Sequence, residues 1–217
     1  MIQAYRTVAG SGSHELEIRK SRFTCSIARA TTDEEARAFI AGLKKQYWDA
    51  SHNCSAYVIG DRGQAQRSSD DGEPSGTAGV PMLRVLQKQG LTDTVAVVTR
   101  YFGGTLLGAG GLIRAYGQSV SAVVAKVGVV EIQPRLVVAI EADYDEAGKL
   151  ENSLRTTDYL LQDVDYANTV TFTLQTTDEE LPKLELWVAE ATNGVCDVVA
   201  IGEERVEVPV DPEGIER

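Results

Sequence analysis

Residues 98–117 read VTRYFGGTLLGAGGLIRAYG, and the stretch divides into three parts. It opens inside a β-branched run, TVAVVTRYF (94–102), which lacks polar alternation and so reads as a strand buried on both faces. A glycine loop follows. The spacing then predicts a helix over 112–126, with Leu112, Ala115, Tyr116, Ser119 and Val123 on one face. A strand, glycine loop and helix in this order present free backbone N–H groups to an anion at the helix start. Arg100 and Arg114 bracket the loop and can add charge-assisted hydrogen bonds. Gly103, Gly104, Gly108, Gly110 and Gly111 equally suit tight turns and close backbone packing.

Two nucleotide motifs fail here. Gly103 and Gly108 have the spacing of a phosphate-binding GxxxxGK[ST] loop, but Ala109 stands where the lysine belongs and Gly110 where the hydroxyl does. Gly108-x-Gly110 begins a dinucleotide fingerprint that ends at Ile113 instead of glycine.

Upstream lies RSSDDGEPSGTAGVP (67–81), whose candidate binding residues are Arg67, Asp70, Asp71, Glu73, Ser75 and Thr77. The three carboxylates suit magnesium ligation, acid–base work or the grip of a partner's arginine. Turn chemistry explains the same residues, since aspartates cap local N–H groups. The two loops are expected to form one surface, with the acidic loop facing the glycine loop. His52 and Cys54 fall on one face of an extended segment, so a thiolate–imidazolium pair is sterically open, as is an inert buried thiol. Tyr101 and Phe102 border the glycine loop and can stack on a base or pack inward.

Outward from these loops, ELEIRKSRFTCSIARA (15–30) alternates as strands with a turn near Lys20 and Ser21. Thr32 and Glu35 form a capping box for the next helix, which buries Ala36, Phe39, Ile40, Leu43 and Tyr47. CSAYVIG (54–60) is a strand, 64–79 is turn-rich, and PMLRVLQKQ (81–89) is a helix closed by Gly90. After Pro134 come strand 135–143, helix 146–157, strands 160–166 and 170–176, helix 178–192 and strand 195–203. That β-α-β-β-α-β order is ferredoxin-like. The expected domains are 1–132 and 135–217.

The charge is unevenly divided. Residues 1–134 hold 15 Lys/Arg against 12 Asp/Glu, whereas 135–217 hold 6 against 20, a net charge of −14. The acidic half repels phosphates, so any RNA contact belongs to the first half. Three scattered cysteines without a CxxC pair argue for a reducing compartment and against a zinc site. No apolar stretch is long enough to span a bilayer, and a cytoplasmic protein without membrane contact is expected.

SRF (21–23), HNCSAY (52–57), the acidic loop (67–81) and the glycine stretch (98–117), in this order, resemble the signature of the Impact/YigZ family. The resemblance covers roughly residues 18–126, and the acidic segment resembles the smaller C-terminal domain of bacterial members. It implies an α+β protein of two domains. The first would have the βα architecture of elongation factor G domain IV and the second a ferredoxin-like split βαβ. Eukaryotic relatives regulate translation initiation by competing for a ribosome-associated activator, using an additional domain that this sequence does not show. The implied function is therefore translation-associated binding of RNA, the ribosome or a ribosome-associated protein through the glycine-rich surface. The alternative is a hydrolase or phosphate-ester enzyme using Asp70, Asp71 and Glu73. No catalytic or metal-ligating residue is assigned, and no cofactor is expected. An adaptor working through the acidic half is a third possibility, against which stands simple solubility.

Overall fold

The computed structural model describes residues 4–210. Two compact units emerge: one holds the described residues up to Ile132 together with those from Glu207 on, the other Gln133–Val206.

The first unit runs β1 (Tyr5–Val8), β2 (Gly12–Ile18), β3 (Ser21–Arg29), α1 (Asp33–Gln46), β4 (His52–Ile59), β5 (Ala65–Ser69), α2 (Gly79–Lys88), β6 (Thr94–Tyr101) and α3 (Ala109–Val127). Its antiparallel sheet has the order β2-β3-β6-β4-β5. Central β6 explains the apolar run without alternation. Ala96 and Val98 pack into the core shared with α2 and α3, and Val95 packs into a smaller core with Ala36 of α1. Both faces of the strand are therefore covered.

α1 begins as expected, with the Thr32 hydroxyl accepting the Glu35 N–H at 3.2 Å. The Glu35 carboxylate reaches back one residue further, to the Thr31 N–H at 2.7 Å. β5 was not expected, because AQRSS is mostly exposed and has no apolar period; its backbone pairing with β4 makes it a strand. α3 starts at Ala109, three residues before the expected position, with Gly108 at φ 72° as its N-cap.

The second unit is built on β7 (Val129–Ala142), α4 (Tyr144–Leu154), β8 (Leu160–Tyr166), β9 (Val170–Thr176), α5 (Leu181–Ala191) and β10 (Val198–Pro209). β7 pairs with β10 and β9, and β9 with β8, giving β10-β7-β9-β8, the ferredoxin-like split βαβ order. Ile140, Phe172 and Leu174 meet Leu150, Leu184 and Val188 of the two helices. β7 begins before the expected boundary and runs through Pro134, which falls between the residues paired with β1 (to Ile132) and those paired with β9 (from Leu136). The end of β10 returns to the first unit through the Arg29–Glu207 ion pair and the Val210 N–H to Val129 carbonyl bond of 3.0 Å. Among the described residues, no helix is long and apolar enough to cross a membrane.

Candidate functional site

The loop between β5 and α2 is wound around one carboxylate. Asp70 accepts the N–H groups of Gly76 (2.8 Å), Ala78 (3.1 Å) and Gly79 (2.8 Å). Burial alone pushes its carboxyl up, but these bonds outweigh it and hold the group below the ordinary carboxylate range. Gly79 has no substitute, because a Cβ there would lie 2.7 Å from the Ser69 nitrogen. Asp71 follows at φ 45°, its carboxylate accepting the Asn53 N–H at 2.7 Å and meeting Lys44 Nζ at 2.6 Å. Burial opposes ionisation here too, and Lys44 and the Asn53 N–H reverse it.

This winding turns Glu73 inward. Its Oε1 accepts Arg100 Nη1 at 2.6 Å and the Tyr116 hydroxyl at 2.8 Å, while His52 Nε2 stands 3.9 Å from Oε2. The other ring nitrogen of His52 bonds the Asp71 carbonyl at 2.8 Å. Arg100 comes from the end of β6, level with His52 of β4 and Phe23 of β3. Its guanidinium also reaches Ser21 Oγ at 3.4 Å and lies over the rings of Phe23 and Phe102. Ser21 accepts the Gly103 N–H as well. The β2–β3 turn presses so closely that a Cβ on Gly103 would lie 1.8 Å from the Lys20 carbonyl oxygen.

Above this buried cluster opens a cleft of about 430 Å³. His52, Glu73 and Arg100 contribute to it, and Pro74, Phe102, Leu106, Leu107 and Leu112 make it largely apolar. Its rim is exposed: Leu106 is 82% accessible, and Phe102 is also open to water. Trp48, 82% accessible, belongs to the same end of the sheet. Its loop is tied to the end of β6 by the Ser51 N–H to Arg100 carbonyl bond, the Phe102 N–H to Ser51 Oγ bond and the Tyr101 to Asp49 bond.

Several sequence expectations are corrected here. Arg100 is not a free anion ligand, because its charge is spent on Glu73 below the surface. Asp70 and Asp71 are not open carboxylates, because loop N–H groups and Lys44 occupy them. Of the two readings open for Cys54, the inert buried thiol is the one found, and the residue makes no pair with His52. Its thiol donates to the Asp70 carbonyl at 3.0 Å and lies 3.4 Å from the Tyr116 hydroxyl, and burial pushes it up to about 12. Arg67 pairs with Tyr57 at the level of Val95, five residues along the sheet from Arg100, or roughly 17 Å at strand spacing. Arg67 and Arg100 therefore do not converge on one anion site.

Of the remaining candidates, Thr77 is buried and donates to the Pro74 carbonyl, whereas Ser75 is exposed. Tyr101 lies under the Arg22 guanidinium at 4.6 Å. Gly104 and Gly108 take positive φ, and Gly110 and Gly111 lie in the first turn of α3, with Arg114 exposed one turn later. Among the described residues, no group of three or more His, Cys, Asp or Glu side chains is placed to hold a metal ion. Ser21 and Tyr116 are members of the cluster with no site signal in the sequence, and His52 joins it through Glu73 and the Asp71 carbonyl and not through Cys54. Tyr116 was legible only as part of the buried face of α3.

The Impact N-terminal domain matches residues 19–124, and a domain of unknown function, DUF1949, matches residues 140–195. The chain is 52% identical over 198 residues to the IMPACT family member YvyE of Bacillus subtilis, covering 91% of each chain. It is 34% identical over 189 residues to the IMPACT family member YigZ of Escherichia coli, covering 86% of this chain and 93% of the relative. A crystal structure described as a hypothetical protein superposes with a TM-score of 0.58 at 32% identity, over 93% of this chain and 99% of its own. The chain belongs to the Impact family.

Proposed function

We propose that this Impact-family chain is a translation-associated recognition protein, and that its first unit seats an apolar side chain of a ribosomal or ribosome-associated protein in the cleft between Glu73 and Leu106. The observation that carries this reading is the pairing of an apolar, water-facing rim with a charged floor that neutralises itself. A phosphate would have to compete with Glu73 for Arg100, and parting a buried pair costs about 3–5 kcal/mol. Covering Phe102 and Leu106 releases about 25 cal/mol per Å² of apolar area instead. Large apolar and aromatic anchors around a pocket are the usual carriers of binding energy between proteins. The partner class comes from the family resemblance, and a cytoplasmic site of action is part of this proposal. RNA contact then falls to exposed side chains such as Arg114 and is secondary. The enzymatic alternative loses its carboxylate pair, since Asp70 and Asp71 hold the loop together.

Co-sedimentation with ribosomes, with and without ribonuclease treatment of the lysate, tests this reading. The wild-type chain is expected to follow ribosomal protein in both preparations, and Leu106→Asp to remain in the supernatant. Equal sedimentation of Leu106→Asp and wild type would remove the cleft from the interaction.

A further inference from the structure

The second unit carries a groove unrelated to that cleft. α4 and α5 cover one face of its sheet, against Ile140, Phe172 and Leu174. On the opposite face Ala139 and Glu141 of β7, Thr171 of β9 and Val199 and Ile201 of β10 line a groove of about 530 Å³. Val199 and Ile201 are 57% and 58% exposed, and neighbouring Val195 is also open to water. Three adjacent β-branched side chains held in water invite an apolar cover. The same groove is lined by Asp143 and Asp197, and neither Lys nor Arg is among its lining residues. Glu141 accepts the Thr169 hydroxyl at 2.5 Å, which fixes its carboxylate at the groove without neutralising it.

We propose that this groove docks a basic amphipathic segment of a partner protein. Its apolar side chains would lie on Val199 and Ile201, and its Lys or Arg side chains would meet Glu141, Asp143 and Asp197. Charge complementarity selects this occupant. Residues 135–217 carry a net charge of −14, so a nucleic acid or a second copy of this face would bring like charges together. An apolar floor alone would not discriminate, and a carboxylate cluster alone would be a solvated surface. The two together fit a segment that alternates apolar and basic residues.

The test uses the full chain and two labelled probes of equal charge, a peptide alternating leucine with lysine and a peptide of lysine and serine. Fluorescence polarisation reads both. The leucine-bearing probe is expected to bind about tenfold more tightly. Val199→Thr/Ile201→Thr should remove that advantage and leave the serine-bearing probe unchanged, while Glu141→Gln/Asp197→Asn should weaken both. Leu106→Asp should change neither, which separates this groove from the cleft of the first unit. All the substituted groove positions are exposed, and an unchanged thermal unfolding curve confirms that the variants are folded. Equal affinity for the two probes, or indifference to the threonine pair, would show that charge alone attracts the peptide and would overturn the proposal. So would RNA binding, or self-association of the chain, that the threonine pair abolishes.

Discussion

Glu73 and Arg100 meet at 2.6 Å with side chains only 3% and 7% exposed, 27 positions apart in the chain. The acidic loop supplies one and the end of β6 the other, so this contact joins two of the four stretches that carry the family resemblance. The Tyr116 hydroxyl completes the Glu73 shell at 2.8 Å, and burial pushes that phenol up, which keeps it a donor.

Removing one partner leaves the other charged and buried. Glu73→Gln is expected to destabilise the first unit by about 3–5 kcal/mol in urea unfolding. Glu73→Gln combined with Arg100→Met should recover much of that loss, because no uncompensated charge remains. Equal stability of Glu73→Gln and wild type would mean that the pair is not formed.

Two glycines of the same glycine-rich stretch should respond oppositely. Gly103→Ala places a Cβ 1.8 Å from a backbone oxygen and requires the β2–β3 turn to move. Gly110→Ala lies in the first turn of α3 with only Arg114 Nη1 near, at 3.8 Å. The first substitution should lower the melting temperature sharply, and the second should stabilise by up to about 0.5–1 kcal/mol. Scanning calorimetry of the two variants distinguishes a packing glycine from a tolerant one.

Asp70 is held below its ordinary value of 3.8 in the folded chain. A depressed carboxyl contributes stability that is fully present above the unfolded value and is lost as pH falls through the folded one. Stability should therefore decline below about pH 4, and Asp70→Asn should flatten that limb while lowering stability at neutral pH. Chemical unfolding between about pH 2 and 7 reads both effects.

The three thiols should be silent. Burial pushes Cys25 and Cys196 up, and Cys54 up to about 12, so none carries appreciable thiolate at neutral pH. A disulfide-exchange reagent is expected to label all three only on unfolding. Rapid labelling of Cys54 in the folded protein would reopen thiol chemistry beside His52.

What was legible in the sequence follows from how local the signal was. TVAVVTRYF declared a strand covered on both faces because both of its faces meet a core, and Thr32 with Glu35 declared a helix start from residues three apart. The β-α-β-β-α-β order was readable because β9 alternates cleanly and turn or cap residues separate the other elements. β5 was not, since backbone pairing rather than side-chain pattern defines it. The site was legible as two marked loops but not as a geometry. Glu73 in a polar loop reads as a surface carboxylate, and only the winding of that loop around Asp70 turns it inward. Leu106 carried a signal, an apolar residue among glycines, that becomes meaningful only once its exposure is known.

The salt dependence of binding to purified ribosomes tests the account most directly. Recognition by an apolar rim gives a dissociation constant that changes little between about 50 and 200 mM salt, and Phe102→Asp/Leu106→Asp abolishes it. An affinity that falls about a thousandfold over that range, with a slope reduced by Arg114→Ala and untouched by the aspartate pair, would contradict it and return the contact to phosphate.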